Sequence, residues 1–288
     1  MTPGPMATVT VLIPTFNRAK FIGEALASVF AQTYEDYQVV VVDDGSTDET
    51  ETVLQPWLSK IRYFKKDNGG PSSARNFGIR HSDTAYIAFL DSDDRWEPTF
   101  LDVAMQLIRQ NPALGLVTAA HVVEPEGVKR PKIPESRLEG NLYPRLFQNN
   151  FVTTSAVVVQ RECFDTVGLF NEELRQAGDY DMWLRIAQAY PIAFVKEYLC
   201  RYGSHSHNIS NNVVQHKLFL QQVLKANYDP NRISEKEWRV RYSRAWVSLG
   251  RAYVDLAQKG PAHKCFHEAI RLTPWRFRPW RYFLQTSL

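Results

Sequence analysis

Cysteine is scarce in this 288-residue chain: Cys163, Cys200 and Cys265 are its only three, and none lies in a CxxC or Cys/His spacing. An odd, scattered set makes neither a disulfide framework nor a zinc site, so these thiols read as small buried apolar groups in a reducing compartment. Long hydrophobic runs are missing too, since no segment reaches the ~18 uninterrupted apolar residues that a spanning helix needs. Met1 to Ala7 carries no basic residue and leads only into the brief apolar run Val9 to Ile13, ended by Pro14, which is neither a secretory signal nor an anchor. The expectation is a cytoplasmic protein. Neither sign of charge dominates: 34 Lys and Arg face 31 Asp and Glu, a net of +3, which sets nucleic acid aside as the default partner. No GxGxxG follows the first apolar run and no GxxxxGK[ST] occurs, which disfavours a dinucleotide-binding domain and a P-loop enzyme.

What is present is a globular pattern, with 44% hydrophobic residues and enough length for one large domain or two moderate ones. The first hundred residues alternate strand-like and helix-like stretches with short breaks, which predicts βαβ units and a parallel sheet. Val9 to Ile13 reads as a strand, and Phe21, Ile22, Ala25, Leu26, Val29 and Phe30 recur at helical spacing. Tyr37 to Val42 is a second strand, after which Ser46 and Glu49 stand at capping-box spacing before a helix carrying Val53, Leu54, Trp57 and Leu58. Ile61 to Phe64 predicts a short strand, and Ser72 to Ile79 and Phe100 to Ile108 predict helices. From Leu114 the expected order is a strand at Leu116 to His121, a polar loop or hairpin from Glu124 to Gly140, a strand at Phe151 to Val159, a helix at Tyr180 to Ala189 and a strand at Ile192 to Tyr202. These later strands imply a mixed sheet.

Residues 213–288 read as a separate helical region after a first domain of 1–212. Within it Trp246, Leu249, Gly250, Tyr253, Ala262, Phe266, Ala269 and Pro274 fall at the offsets of one tetratricopeptide-like hairpin, about 243–276. A single hairpin does not bury both faces alone. Beyond it Arg271, Arg276, Arg278 and Arg281 interleave with Trp275, Phe277, Trp280, Tyr282 and Phe283, with no acid after Glu268. This basic aromatic tail, 271–283, either caps the repeat or makes peripheral contact with an anionic membrane, at its inner face for a cytoplasmic protein.

The strongest chemical signal is the apolar strand Tyr86-Ile87-Ala88-Phe89-Leu90 running into Asp91-Ser92-Asp93-Asp94. Ligands of open α/β sheets collect beyond the strands' carboxyl ends, so these acids should stand at the mouth of a crevice. Clustered carboxylates repel one another, and a hard divalent cation bridging them to a substrate's phosphates relieves that repulsion. Asp43-Asp44-Gly45-Ser46 ends the second strand in the same way.

On these residues the chain resembles the family 2 glycosyltransferases, from about Thr8 to Ser210. The resemblance is carried by VTVLIPTFNR, VVVVDDGSTDET, NGGPSSARNFGI, FLDSDD, AGDYDMWLR and HSHNIS in that order. It implies a GT-A fold, a Rossmann-like mixed and mainly parallel sheet flanked by helices, and inverting transfer of a sugar from a nucleotide diphosphate, UDP being the expected nucleotide. It further implies that Pro14, Thr15 and Phe16 wall the base pocket and that Asp44 accepts from the base imide, strand-end turn chemistry being the alternative for Asp44. Arg75 and Asn76 would approach the nucleotide or brace its loop. Asp91 would contact ribose or metal-bound water and Asp93 would ligate Mn2+ or Mg2+, with His205 reaching metal or diphosphate, while Asp94 serves the site or caps a helix. Asp179 falls on the position of the catalytic base, with Gly178 where glutamate is common and Asp181 as the fallback. The implied acceptor is a glycan or lipid-linked hydroxyl in polysaccharide or cell-envelope synthesis. The competing reading is a silent glycosyltransferase-like scaffold that binds proteins through its helical end.

Overall fold

The computed structural model describes residues 7–131, 133, 137–204 and 212–287. Its backbone divides into two compact units, 1–175 with 182–205, and 176–181 with 206–288. The short segment 176–181, which the sequence places in the first domain, thus groups with the carboxyl-terminal unit.

The first unit starts with β1 (Val9–Thr15), α1 (Ile22–Phe30), β2 (Tyr37–Asp43), the single-turn helix α2 (Thr50–Leu54), β3 (Arg62–Lys65), α3 (Pro71–Arg80) and β4 (Tyr86–Phe89). β1 pairs in parallel with both β2 and β4, and β2 pairs in parallel with β3. Every residue of β1 is buried, as an apolar strand covered on both faces requires. Val9, Val11 and Ile13 share a core with Ile22, Ala25, Leu26 and Val29 of α1. On the other face Gly78 of α3 lies so close to Leu12 that a Cβ there would stand 2.1 Å from Leu12 Cδ1, so the glycine sets the helix-to-sheet distance.

The chain continues through β5 (Arg95–Trp96), α4 (Phe100–Gln110), β6 (Leu116–Glu124), β7 (Val128–Arg130), β8 (Arg137–Gly140), α5 (Tyr143–Gln148), β9 (Val157–Gln160), α6 (Glu162–Val167), α7 (Gly178–Ala189) and β10 (Ile192–Gly203). Among the described residues these strands complete one sheet of order β3-β2-β1-β4-β9-β6-β10-β5, with β7 on β6 and β8 on β10. The mixed character comes from β9, antiparallel to both β4 and β6, and from β5, β7 and β8, each antiparallel to its neighbour, while β6 and β10 run parallel. Phe89, Phe170 and Trp183 meet edge to face at 5.7 to 5.9 Å beneath the end of β4, a packing that aromatic quadrupoles favour.

Two local expectations are corrected, and a third, the loop or hairpin after Glu124, is narrowed to one of its alternatives. Ser46 and Glu49 form no capping box: the Ser46 N–H donates to Asp43 Oδ1 at 2.7 Å, its Oγ accepts from the Asn17 N–H at 2.9 Å, and the helix starts only at Thr50. The strand expected over 151–159 is shorter, because Thr154–Ala156 form a 3-10 turn before β9. The polar stretch after Glu124 contains a true β6–β7 hairpin as well as β8.

The second unit contains α8 (Val213–Ala226), α9 (Glu235–Asp255), α10 (Lys259–Leu272) and α11 (Phe277–Ser287). A capping box starts α9, where Ser234 Oγ accepts the Glu237 N–H and the Glu237 carboxylate accepts the Ser234 N–H. Val247 of α9 packs with Ala262, Phe266 and Ala269 of α10, covered by Trp246, Tyr253, Tyr282 and Phe283. Gly250 admits the Phe266 ring, which would stand 2.5 Å from an added Cβ.

Candidate active site

The carboxyl ends of β1, β2 and β4 lie side by side because the three strands are parallel and in register, Thr15 opposite Asp43. The backbone seals the first two ends, since the Asp44 N–H donates to the Thr15 carbonyl at 2.8 Å. Asn17, in a left-handed conformation (φ 52°), ties their loops by accepting the Thr47 N–H at Oδ1, 2.8 Å away. Pro14 and Thr15 are buried and Phe16 is exposed at the rim. Thr15 Oγ1 has no hydrogen-bond partner among the described residues.

Asp43 and Asp44 are both buried, and both are engaged within the protein. Asp43 accepts from the Ser46 N–H and from the Tyr63 hydroxyl at 2.9 Å, and burial followed by that carboxylate's hydrogen bond and charge pushes the Tyr63 phenol upward. Asp44 accepts from Lys66 Nζ at 2.6 Å and from the N–H groups of Gly69 (3.0 Å) and Gly70 (2.7 Å). Gly70 makes this possible with φ +88°, a region open to glycine. Asp44 therefore anchors the loop that starts α3.

From α3, Arg75 reaches Asp91, its Nη2 donating to Oδ1 at 2.6 Å over the Phe170 ring. Asn76 is turned inward, donating to the Phe170 carbonyl (2.9 Å) and to Glu172 (2.7 Å) while accepting the Phe170 N–H. Asn76 thus ties α3 to the segment around Phe170.

The acid turn after β4 is held from three directions. Asp93 accepts from Arg18 Nε at 3.2 Å, and the Asp94 N–H donates to the Asp91 carbonyl at 3.0 Å. Asp94 is no helix cap: it is buried, accepts from the Ser155 hydroxyl, and accepts from the Gly203 N–H at 2.8 Å. Ser155 Oγ in turn accepts the Asp91 N–H at 3.0 Å. Burial first, and then the charges of Asp93 and Asp91, hold the Asp94 carboxyl well above the usual carboxylate range. Gly203 leaves no room for a side chain, since a Cβ would stand 2.4 Å from the Asp93 carbonyl oxygen. Arg18, Ser155 and Gly203 were not legible as site residues: a lone arginine, a serine before a strand and a glycine ending one carry no chemical pattern of their own.

Among the described residues no group of three or more His, Cys, Asp and Glu gathers as a cage for a metal ion. Asp91 and Asp93 nonetheless fit Mn2+ or Mg2+, because both present hard carboxylate oxygens and such ions are commonly held by one or two carboxylates plus substrate phosphates. His205 and His207 lie outside the described residues.

Asp179 belongs to the second unit, in the first turn of α7 after Ala177, whose φ of 58° is unusual for a residue with a Cβ. It is half-buried, and its charge bears on His216 of α8. Burial outweighs that charge and, with Lys217, holds the His216 imidazole below its ordinary value. Asp181 is buried and accepts from Asn227 Nδ2 at 2.8 Å. The fallback carboxylate is thus committed to joining α7 and α8.

The family model for glycosyl transferase family 2 matches residues 10–167. An uncharacterized glycosyltransferase of Rickettsia felis is 32% identical over 72% of this chain, a match that spans 36% of the Rickettsia protein's length. The putative teichuronic acid biosynthesis glycosyltransferase TuaG of Bacillus subtilis is 27% identical over 71% of the chain and 82% of its own. Among solved structures, S. aureus TarS 1-349 in complex with UDP-GlcNAc is similar at a TM-score of 0.71 and 19% identity, over 92% of this chain and 81% of that one. The mannosyltransferase PcManGT of Pyrobaculum calidifontis, in complex with GDP-Man and Mn2+, is similar at 0.64 and 21% identity, over 99% and 87%. These structures share the mixed α/β fold, and with the family match across β1 to β9 they establish that the chain belongs to glycosyl transferase family 2.

Proposed function

We propose that the chain catalyses inverting transfer of a sugar from a nucleotide diphosphate, with UDP as the nucleotide, to a hydroxyl of a glycan or lipid-linked acceptor in polysaccharide or cell-envelope synthesis. The observation that carries this reading is the acid turn after β4: Asp91 and Asp93 are each held by an arginine, while buried Asp94 fixes the turn through Ser155 and Gly203. A turn braced so heavily holds its carboxylates in one fixed place, the preorganisation that a charged ligand site requires.

Pro14, Thr15 and Phe16 are the proposed base wall, with the partnerless Thr15 hydroxyl available to a nucleotide. Asp44 is the proposed reader of the base, in competition with Lys66 and two backbone N–H groups for its oxygens. Asp93 and Asp91 would hold Mn2+ or Mg2+, which when bound supplies Lewis-acid stabilisation of the leaving diphosphate. Arg18 and Arg75 bring fixed positive charge to the same acids and would meet the diphosphate oxygens. Asp179 is the proposed general base. It takes the acceptor hydroxyl proton as that oxygen bonds to the anomeric carbon, and the electron pair of the breaking bond leaves with the diphosphate from the opposite face. UDP is favoured because TarS is seen with UDP-GlcNAc, and polymer synthesis because TuaG and an E. coli chondroitin synthase are relatives.

The test is calorimetric titration with UDP, GDP and dTDP, each with and without Mn2+, on the native chain and on Asp93→Ala. Metal-dependent binding that prefers UDP and is lost in the variant is the expected result. Binding that ignores Mn2+ would remove Asp93 as a ligand, and no binding to any diphosphate would favour the silent scaffold.

A further inference from the structure

The two expectations for the basic aromatic tail divide between its residues. On one face of α11, Tyr282 stacks on Phe266 with ring centroids 5.4 Å apart, and Phe283 lies 4.0 Å from the His263 ring. That face caps the α9–α10 hairpin. A second apolar stripe faces away from it. Phe277, Trp280 and Leu284, spaced three and four apart, expose 76%, 41% and 59% of their surface, and Trp275 just before the helix exposes 56%. The Trp280 indole N–H already donates to the Pro274 carbonyl at 3.0 Å, so its ring makes no further polar demand.

Cations border the stripe. Arg276, Arg278 and Arg281 have no acidic partner among the described residues, and the sequence holds no acid after Glu268, which is paired with Arg271 at 3.0 Å. Behind them Arg241 and Arg244 of α9 add to the same charge. The Arg244 guanidinium is held below its ordinary value by partial burial and then by the positive charges of Arg276, Arg241 and Arg278. Crowded guanidiniums are relieved by anions, and exposed rings by leaving water. The boundary of an anionic bilayer offers both, with phosphates at the level of the arginines and acyl chains at the level of the rings. A second copy of this face would bring its own arginines against these, which makes self-association the poorer match.

We propose that the face formed by Trp275, Phe277, Trp280 and Leu284, ringed by Arg276, Arg278 and Arg281, docks the chain peripherally on an anionic phospholipid surface. The test is co-sedimentation of the full chain with phosphatidylcholine vesicles, with and without phosphatidylglycerol, at low and high salt. Binding should need phosphatidylglycerol and fall with salt. Arg276→Ala and Arg278→Ala should each weaken it about fivefold. Joint replacement of Phe277 and Leu284 by serine should abolish binding with helix content and Tm unchanged, because both side chains are exposed. Failure of the folded native chain to bind phosphatidylglycerol vesicles would overturn the proposal. Concentration-dependent self-association in solution that disappears in the serine variant would also overturn it, by assigning the face to a second copy.

Discussion

Arg18 and Asp93, 75 residues apart, are joined by a 3.2 Å hydrogen bond from Nε to Oδ2, so the acid proposed to hold a metal already carries a guanidinium from the loop after β1. A cation entering there competes with Arg18, whereas a diphosphate gains from it. The two effects have opposite signs.

Arg18→Ala is therefore expected to strengthen binding of Mn2+ alone and to weaken binding of UDP with Mn2+, each by about tenfold, the scale of one charge-assisted hydrogen bond. Titration of the two ligands separately reads both. A parallel weakening would mean that Arg18 acts only by supporting the fold.

Asp179 and Asp181 differ in kind although they share one helical turn. Asp179→Asn should keep nucleotide binding and lose transfer by at least about a hundredfold, as removal of a general base does. Asp181→Asn disturbs a buried bond to Asn227 and should cost about 1–3 kcal/mol in urea unfolding. Full turnover in the Asp179 variant would remove it as the base.

Gly203→Ala places a methyl group 2.4 Å from the Asp93 carbonyl oxygen, and backbone yields less readily than a side-chain tip. The variant is expected to lose about 1–3 kcal/mol of stability, the cost of an overpacked site, and to bind UDP with Mn2+ more weakly. Gly260→Ala, where an added Cβ meets nothing within 4 Å, is the control.

His121 on β6 hydrogen-bonds through Nδ1 to Thr153 Oγ1 at 2.9 Å, and burial followed by the charge of Arg130 lowers its pKa from the ordinary 6.5 to about 4. Between those values the unfolded chain holds a proton that the folded chain does not, so stability falls as pH drops through the window and is fully present above it. The loss is at most about 3 kcal/mol. Urea midpoints across the window should fall for the native chain and flatten for His121→Asn; an unchanged slope in the variant would assign the effect to other groups.

Much of the framework was legible because it rests on patterns that local physics enforces. The continuous apolar runs of β1, β2 and β4 had few alternatives to buried parallel strands, and those of β2 and β4 ended in acids, at carboxyl ends that flank the end of β1. The departures share one cause. Ser46 has capping-box spacing, yet its oxygen is taken by Asn17 from another loop. Residues 154–156 have strand-like composition, yet they turn to bring Ser155 to the acids. In each case a partner distant in sequence outbid the local one, and single-chain periodicity carries no trace of such partners. Asp94 shows this most clearly: the sequence left it open between site and helix cap, while its partners Ser155 and Gly203 stand 61 and 109 residues further along the chain.

Those separations also fix when the acid turn can form. A chain emerging or refolding from its amino terminus can pair β1 with β2 early, since their partnered residues stand 28 positions apart, but Asp94 lacks its Gly203 clamp, 109 residues further on, until β10 has docked. Long-range closures of this kind come late and slowly. Competence to bind a nucleotide is thus expected to be the last property regained on refolding, trailing the recovery of secondary structure, and stopped-flow mixing with a fluorescent UDP analogue would refute this order if binding returned in the earliest phase.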